Sequence, residues 1–598
     1  MKKTILFLLM LLPMVASAYD VCIDGIYYNL VEKARIAEVT YGANLGGYAY
    51  FDHYRDDYQG QISIPSSFIY EGKEYTVTTI GQLAFEYCSS ITSINLPTTI
   101  TTIKSAAFRH CSDLESINIP EGVSQLPDHA FTYCYNLQSI NIPSSLTTIG
   151  GYAFDYSGVT RYNIVSIESW LNIKFIDSPL PPERHLYIND EEVTNITIPT
   201  TINTIKDMAF ARCIGLRSIQ FHDGVTSIGQ AAFYGCSGIT NIQLSESITS
   251  IGNMAFSACT SLESVKIPNG ITSIGYAFQN CTSLKEIIIP NGLNIINNTF
   301  NGCSNLISIS LPNSVQIIDN YSFNNCSELR TIILGNEIYS IGEQAFANCT
   351  ELSDVYCFSN SVPQTNQNTF DNSYIDYATL HVPASSISSY SSSSPWSSFQ
   401  NIVAISSEDI TIGDLGIGTF CGSNPIDLSG TDDVKAYVVS SYESATGQVM
   451  LTRTYYIPPF TGVVVKGNKG VYTIPAGVGQ PVYPNMMKGV TTNTVLNKLN
   501  GDYTNYVLAN KGGNLGFYAV TDGSTLSAGK AYLPLPTAYL PTTARELTLT
   551  FEDGETTDII KVVPQEKVTQ NYYDLQGRRV ANPTSGLYIV NGKKVIIK

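Results

Sequence analysis

Residues 262–281 read Leu262-Glu263-Ser264-Val265-Lys266-Ile267-Pro268-Asn269-Gly270-Ile271-Thr272-Ser273-Ile274-Gly275-Tyr276-Ala277-Phe278-Gln279-Asn280-Cys281, and variants of this phrase recur along most of the chain at a period of 22 to 24 residues. The aromatic residue of each unit keeps phase: Phe85, Phe108, Phe131 and Phe154, then Phe210, Phe233, Phe256, Phe278, Phe300, Phe323, Phe346 and Phe370. Ten cysteines keep the same phase three residues later: Cys88, Cys111, Cys134, Cys213, Cys236, Cys259, Cys281, Cys303, Cys326 and Cys349. Two residue types held in register over so many turns mean that each unit buries the same side chains against its neighbours. The chain is therefore read as a stacked solenoid.

Within one unit, Leu114, Ile117 and Ile119 alternate with polar residues, the pattern of a short strand with one buried face. Pro120 closes that strand because proline has no amide hydrogen to continue a ladder. A second extended arm is predicted over 123–126, and a helical or 3₁₀ turn across Ala130 and Phe131 ending at Cys134. The expected fold is mainly β, with short strands plus one such turn per rung. Equivalent cysteines in adjacent rungs would sit about one strand spacing apart, roughly 4.8 Å, but with parallel Cβ vectors that do not converge on each other. Buried thiols are therefore favoured over disulfides, and the paired C-x-x-C spacing of a metal site is absent. Cys22, Cys357 and Cys421 fall outside the ladder.

The unit from Leu262 through Ala277-Phe278 to Cys281 resembles those of the BspA-like leucine-rich repeat family of bacterial surface proteins, and the likeness runs from roughly Ile62 to Ile405. That resemblance implies a leucine-rich repeat solenoid in a secreted or surface-attached protein that binds other proteins, in some members host matrix or host cells. The rhythm breaks between Phe154 and Phe210, where an atypical insert at about 158–195 contains Trp170, Pro179, Pro181 and Pro182. Within it, Leu186 to Asp190 predicts an extra hairpin or rung. A bare terminal rung would expose apolar surface and strand edges, so two caps are expected around a solenoid at 76–405. One is residues 19–75, with Tyr27, Tyr28, Val39, Tyr41, Tyr48 and Tyr50; the other is about 385–405, with Ile387, Tyr390, Trp396, Phe399 and Ile402.

Each first strand leaves one outward position between its inward residues: Asn95, Asn118, Asn141, Asn163, Thr197, Gln220, Gln243, Lys266, Ile288, Ser310, Ile333 and Tyr356. The asparagine run reads as structural, since stacked amides hydrogen-bond from rung to rung. Toward the C-terminal end the surface turns apolar and charged, with Lys285, Glu286, Ile288, Ile307, Arg330, Ile333 and Tyr356 as the candidate binding residues. Exposed apolar side chains with Arg and Tyr have the composition of a protein-binding centre. Packing of the following domain on the same residues is the competing reading.

The chain carries 33 basic and 50 acidic residues, so nucleic acid and anionic membrane, which call for clustered cations, are not expected partners. Lys2 and Lys3, an apolar run from Ile5 to Leu12, and Ala16-Ser17-Ala18 predict a secretory signal peptide over 1–18. No later apolar run is long enough to predict a transmembrane helix. The signal predicts an exported protein.

After Ile405 the repeat stops, and strand-like runs separated by Gly-rich turns predict an all-β domain over 406–550. Its phrases Gly418-Thr419-Phe420-Cys421, Lys435-Ala436-Tyr437 and Gly529-Lys530-Ala531-Tyr532-Leu533 resemble an accessory β domain of exported proteins from host-associated Gram-negative anaerobes. The last segment, 551–598, has two predicted hairpins, one turning at Asn591-Gly592. It resembles the C-terminal sorting domain recognised by type IX secretion, without the Pro-Asn-Pro phrase that often opens such domains. The resemblance implies outer-membrane passage and surface attachment.

No H-E-x-x-H, G-x-S-x-G or P-loop pattern occurs, and the six histidines are scattered over different rungs and domains. Asp56-Asp57 and Asp432-Asp433 fall in predicted loops, where solvated turns are expected rather than opposed catalytic carboxyls. The expectation is a non-enzyme with no catalytic residues, no cofactor and no metal, whose partners are extracellular or host proteins. The alternative is a surface glycan-binding protein using tyrosines of the C-terminal β domain, since 39 tyrosines accompany only two tryptophans.

Overall fold

The computed structural model describes residues 19–42, 57–176, 183–540 and 546–554, with the backbone of four short strands between 572 and 597. The predicted signal segment 1–18, Tyr48, Tyr50, Asp56, Pro179 to Pro182 and the Asn591-Gly592 turn lie outside the described residues.

The repeats stack into two parallel ladders. The first takes one strand per rung, as in Ile91–Asn95, Ser139–Ile142, Ser218–Gln220, Ser264–Lys266, Thr331–Leu334 and Asp354–Cys357. The second takes two-residue strands such as Gln125–Leu126, Thr148–Ile149, Ser250–Ile251 and Ser340–Ile341. Register is kept by the inward Ile or Leu of each arm, as in Ile318↔Ile341 and Ile332↔Val355. A one-residue slip would turn every such residue to solvent.

The third side is the Ala-Phe turn, and its backbone is also bonded rung to rung. Phe108 N donates to the Ala130 carbonyl at 3.1 Å, and His110 N to Thr132 at 2.9 Å. Within the rung the bonds run from residue i+3 back to i, the 3₁₀ pattern, as Arg109 to Ala106 and Cys111 to Phe108. Left-handed residues two before and two after the phenylalanine, here Ala106 (φ 54°) and His110 (φ 61°), stop this turn from extending into a helix. The glycine of the I-G pair is required by close approach: a Cβ on Gly252 would lie 2.5 Å from the Gln230 amide nitrogen of the preceding rung.

Inside, the phenylalanines stack face to face, Phe233 on Phe256 at 5.3 Å and Phe323 on Phe346 at 5.1 Å between centroids. Each such pair adds about 0.5–1.5 kcal/mol beyond area burial. The column is closed at both ends by other aromatics, Tyr58 over Phe85 at 4.7 Å and Trp396 and Phe399 against Phe370 at 5.5 Å each. None of the thirteen cysteines is in a disulfide. Eight ladder thiols instead donate to the phenylalanine carbonyl of the preceding rung, at 2.9 Å for Cys236 to Phe210 and 3.1 Å for Cys134 to Phe108. That carbonyl also accepts the amide of the cysteine in its own rung, as from Cys111 to Phe108, so the thiol satisfies its second lone pair. At Ser373 a hydroxyl takes the same role toward Phe346. Burial pushes these thiols up, Cys134 and Cys281 to about 12.

In the insert the phenylalanine is replaced by Trp170, on a helix Ile167–Leu171 whose Ser166 and Ser169 form a capping box. Trp170 Nε1 donates to the Ala209 carbonyl at 2.8 Å, and the buried Arg184 guanidinium lies 5.6 Å from the Trp170 ring and 5.5 Å from Phe175. His185–Ile188 is both a rung strand, parallel to Arg161–Ile164, and half of a hairpin with Glu191–Glu192.

After the last ladder strand, Asn401–Ala404, the chain enters a separate β domain. Its main sheet runs in the order Ile417–Phe420, Val463–Gly467, Val434–Glu443, Gln448–Thr454, Glu546–Phe551, Asn514–Ala519, Tyr503–Lys511, Lys530–Pro536 and Lys488–Val490. It curls until its ends meet, the Ala531 amide donating to Thr419 Oγ1 at 3.1 Å and the Cys421 amide to the Gly529 carbonyl at 3.0 Å. These bonds tie the first strand of the sheet to Lys530–Pro536, the last but one.

Candidate functional site

The outward column of the first ladder has two unlike ends. In the N-terminal rungs it is a chain of amides: Asn163 Nδ2 donates to Asn141 Oδ1 at 2.8 Å, and Asn141 Nδ2 to Asn118 Oδ1 at 3.2 Å. Arg161 Nε donates to Asn163 Oδ1 at 2.8 Å and ends the run. Beside it runs a hydroxyl column, Ser93, Ser116 and Ser139, and the two columns line an open concavity.

At the C-terminal end the same face is covered by the β domain. Ile333 and Tyr356, 1% and 0% exposed, form one cluster with Tyr456, packed by Phe358 and Val478. The Tyr356 hydroxyl donates to the Ser423 carbonyl, Ser310 Oγ to the Gly479 carbonyl at 3.0 Å, and Gln480 Nε2 to the Ile289 carbonyl at 2.8 Å. Gly479 is wedged against Tyr456, whose Cβ would lie 2.8 Å from an added Cβ. On the far side Tyr356 stacks on His381 at 4.0 Å, and His381 Nε2 meets Asp354 Oδ1 at 3.0 Å.

The seven candidate binding residues are thus divided. Ile333 and Tyr356 are inside the intramolecular seam, so the packing of the following domain accounts for their apolar character. Glu286 and Ile288 are half-buried beside it. Burial pushes the Glu286 carboxyl up to about 7 against the opposing pull of Lys285, with Tyr483 facing it from the β domain. Lys285, Ile307 and Arg330 stay exposed on the preceding column. Lys285 pairs with Glu263 at 3.3 Å, and Arg330 with Glu328 at 3.4 Å and Glu351 at 3.8 Å. Exposed pairs of this kind hold little energy. The segment Gly477 to Pro484, which makes most of the seam, was missed in the sequence; its Gly-Pro composition and lack of strand pattern were the available signal.

Of the β-domain tyrosines, Tyr437, Tyr456, Tyr506 and Tyr518 are core, while Tyr455 and Tyr503 are exposed. Among the described residues no group of three His, Cys, Asp or Glu is placed to hold a metal, and no helix is long and apolar enough to cross a membrane.

The family described as BspA type leucine rich repeat region matches residues 66–178, 183–299 and 275–395, in six copies. Among solved structures, the chain is similar to a leucine-rich repeat protein from Bacteroides ovatus, at 26% identity over 56% of this chain and 94% of that one, TM-score 0.36. It is also similar to a leucine-rich repeat protein from Eubacterium ventriosum, at 21% identity over 58% and 93%, TM-score 0.36. The pneumococcal vaccine antigen PcpA matches at 18% identity over 65% and 98%, TM-score 0.42. No curated protein matches. With its matched repeats spanning more than half of its length, this chain belongs to the BspA-type leucine-rich repeat family.

Proposed function

We propose that this chain is a secreted or surface-displayed protein-binding module, acting in adhesion toward host or neighbouring-cell proteins through the uncovered strand face from Asn95 to Lys266. The observation that carries this reading is the contrast along one column: the same outward positions are sealed by the β domain at Ile333 and Tyr356 and open at Asn118 and Asn141. A long uncovered wall of small polar side chains on a rigid ladder suits a macromolecule, since polar groups already oriented by their neighbours lose little freedom on binding. Lys285, Ile307 and Arg330 extend that wall to the edge of the seam and are proposed as its rim. Ile333 and Tyr356 hold the domain in place, with Glu286 facing Tyr483 and Ile288 half-buried beside them. Display at the surface is proposed to depend on the segment 571–598, on its resemblance to a type IX sorting domain.

Two experiments test this. Residues 19–405 and the full chain are assayed against extracellular-matrix and cell-surface proteins. Specific binding by both, abolished by Asn118→Arg with Asn141→Arg, is expected; binding carried only by residues 406–550 would overturn the assignment to the strand face. Protease shaving of intact cells, with a deletion of 571–598 as control, reads display directly. Loss of shaving in the deletion strain is expected.

A further inference from the structure

The β domain lays one extended segment across the strand face, and its course shows what this surface can hold. Val478 packs at Ile333 and Tyr356, Gly479 accepts from Ser310 one rung earlier, Gln480 reaches the Ile289 carbonyl one rung earlier again, and Tyr483 faces Ser308 and Glu286. Residues 478–480 therefore step along the solenoid axis, across the strands, with the outward columns of successive rungs as the floor, and Tyr483 rests on the two rungs that Gly479 and Gln480 have reached. The segment is uncharged and has no strand or helix of its own. Its contacts combine a backbone carbonyl bonded to a serine hydroxyl, a side-chain amide bonded to a ladder carbonyl, and apolar side chains over the apolar rungs.

Ser93, Asn95, Ser116, Asn118, Ser139 and Asn141 occupy the same two columns in the N-terminal rungs, and among the described residues no other segment crosses the concavity they line. Register relates the two regions directly: Ser93↔Ser116 and Asn118↔Asn141 correspond to Ser308↔Thr331 and Ser310↔Ile333. Each amide in the column has two N–H hydrogens and two acceptor lone pairs, so the inter-rung bonds leave capacity for a ligand. Among the described residues no charged one lines the concavity, and a charged partner placed there would lose hydration without gaining an ion pair from them.

We propose that the Ser93–Asn141 concavity binds an extended, uncharged polypeptide segment of a partner protein, lying along the solenoid axis as residues 478–480 do on the later rungs. This rests on the reading that the strand face binds proteins and names the form of the bound element. It predicts recognition of backbone carbonyls and side-chain amides by the serine and asparagine columns, in place of a folded surface or a charged motif.

The test is panning of a displayed library of random linear peptides on the full chain, followed by affinity measurement of the enriched peptides by calorimetry. Enriched peptides poor in Lys, Arg, Asp and Glu are expected, with affinity falling at least about tenfold in Ser116→Arg and in Asn118→Arg. The exposed second-ladder variant Ile295→Arg should leave it unchanged, with circular dichroism confirming that all variants fold. Failure to enrich peptides, or peptides indifferent to both groove variants, would overturn the proposal. So would a glycan array whose hits are lost in those same variants, since it would assign the concavity to saccharide. If whole partner proteins still bind and are lost in Asn118→Arg while no peptide does, the strand-face function stands and the extended-segment mode fails.

Discussion

The N-terminal and C-terminal stretches of the first ladder share one backbone, one register and one core, yet one presents Asn118 and Asn141 to solvent and the other buries Ile333 and Tyr356 under a second domain. The stack constrains its outward positions less than its inward ones, because most of its apolar burial comes from the inward Ile, Leu, Phe and Cys of each rung. The outward column is free to be a polar wall in one place and a domain seam in another. The apolar outward residues Ile333 and Tyr356 mark a covered stretch, and the cover belongs to the same chain.

If the core is the same at both ends, Phe108→Ala and Phe323→Ala should cost similar amounts, about 3–5 kcal/mol each, by loss of a buried ring and the cavity left behind. Denaturant unfolding of each variant checks this. A large difference between them would show that the β domain braces the later rungs.

Ile333→Asp would place a carboxylate in the seam and weaken domain docking by about 2–4 kcal/mol. Limited proteolysis after Ile405 should accelerate strongly, while the register-related change Asn118→Asp at the open end leaves the proteolysis pattern as it was. Gly479→Val should act like Ile333→Asp, since its side chain would run into Tyr456.

The seam should also respond to pH, and the open end should not. Burial raises the Glu286 carboxyl to about 7, so the docked state favours the protonated acid. Its contribution is fully present below the ordinary glutamate pKa of about 4.3 and is lost as pH rises through about 7, a change on the order of 1–3 kcal/mol. Proteolysis of the linker measured from pH 5 to 8 should rise across that window, and Glu286→Gln should flatten the profile.

The smallest effect is expected from the thiol ladder. Cys259→Ala removes the donor to the Phe233 carbonyl, 3.2 Å away, for about 1 kcal/mol from the hydrogen bond and somewhat more from the lost sulfur volume. Cys259→Ser should recover part of it, as Ser373 does naturally at the last turn. Alkylation of the native chain should leave the ladder thiols unmodified until the rungs open.

Much of this was legible in the chain because a solenoid repeats its constraints. The phase of Phe85 through Phe370 states the stack, the in-phase cysteines favour buried thiols over disulfides, and Trp396 and Phe399 announce an end cap. The asparagine ladder followed from the same periodicity. The turn was only partly legible: its 3₁₀ bonding is local, but the left-handed residues beside each phenylalanine are Leu, Ala, His, Tyr, Met, Gln, Arg, Asn and Gly in different rungs, a choice with no common residue signal.

Sequence alone determined the rungs, their register and their buried side chains, because those depend on contacts between residues one period apart, repeated many times. Only the tertiary structure decided which stretch of the outward face is open. That choice rests on single contacts such as Ser310 with Gly479, 169 residues apart, which no periodicity encodes. Tertiary structure also decided that each thiol answers a carbonyl in the previous rung, since a lone pair left over by one hydrogen bond becomes visible only when its neighbours are in place.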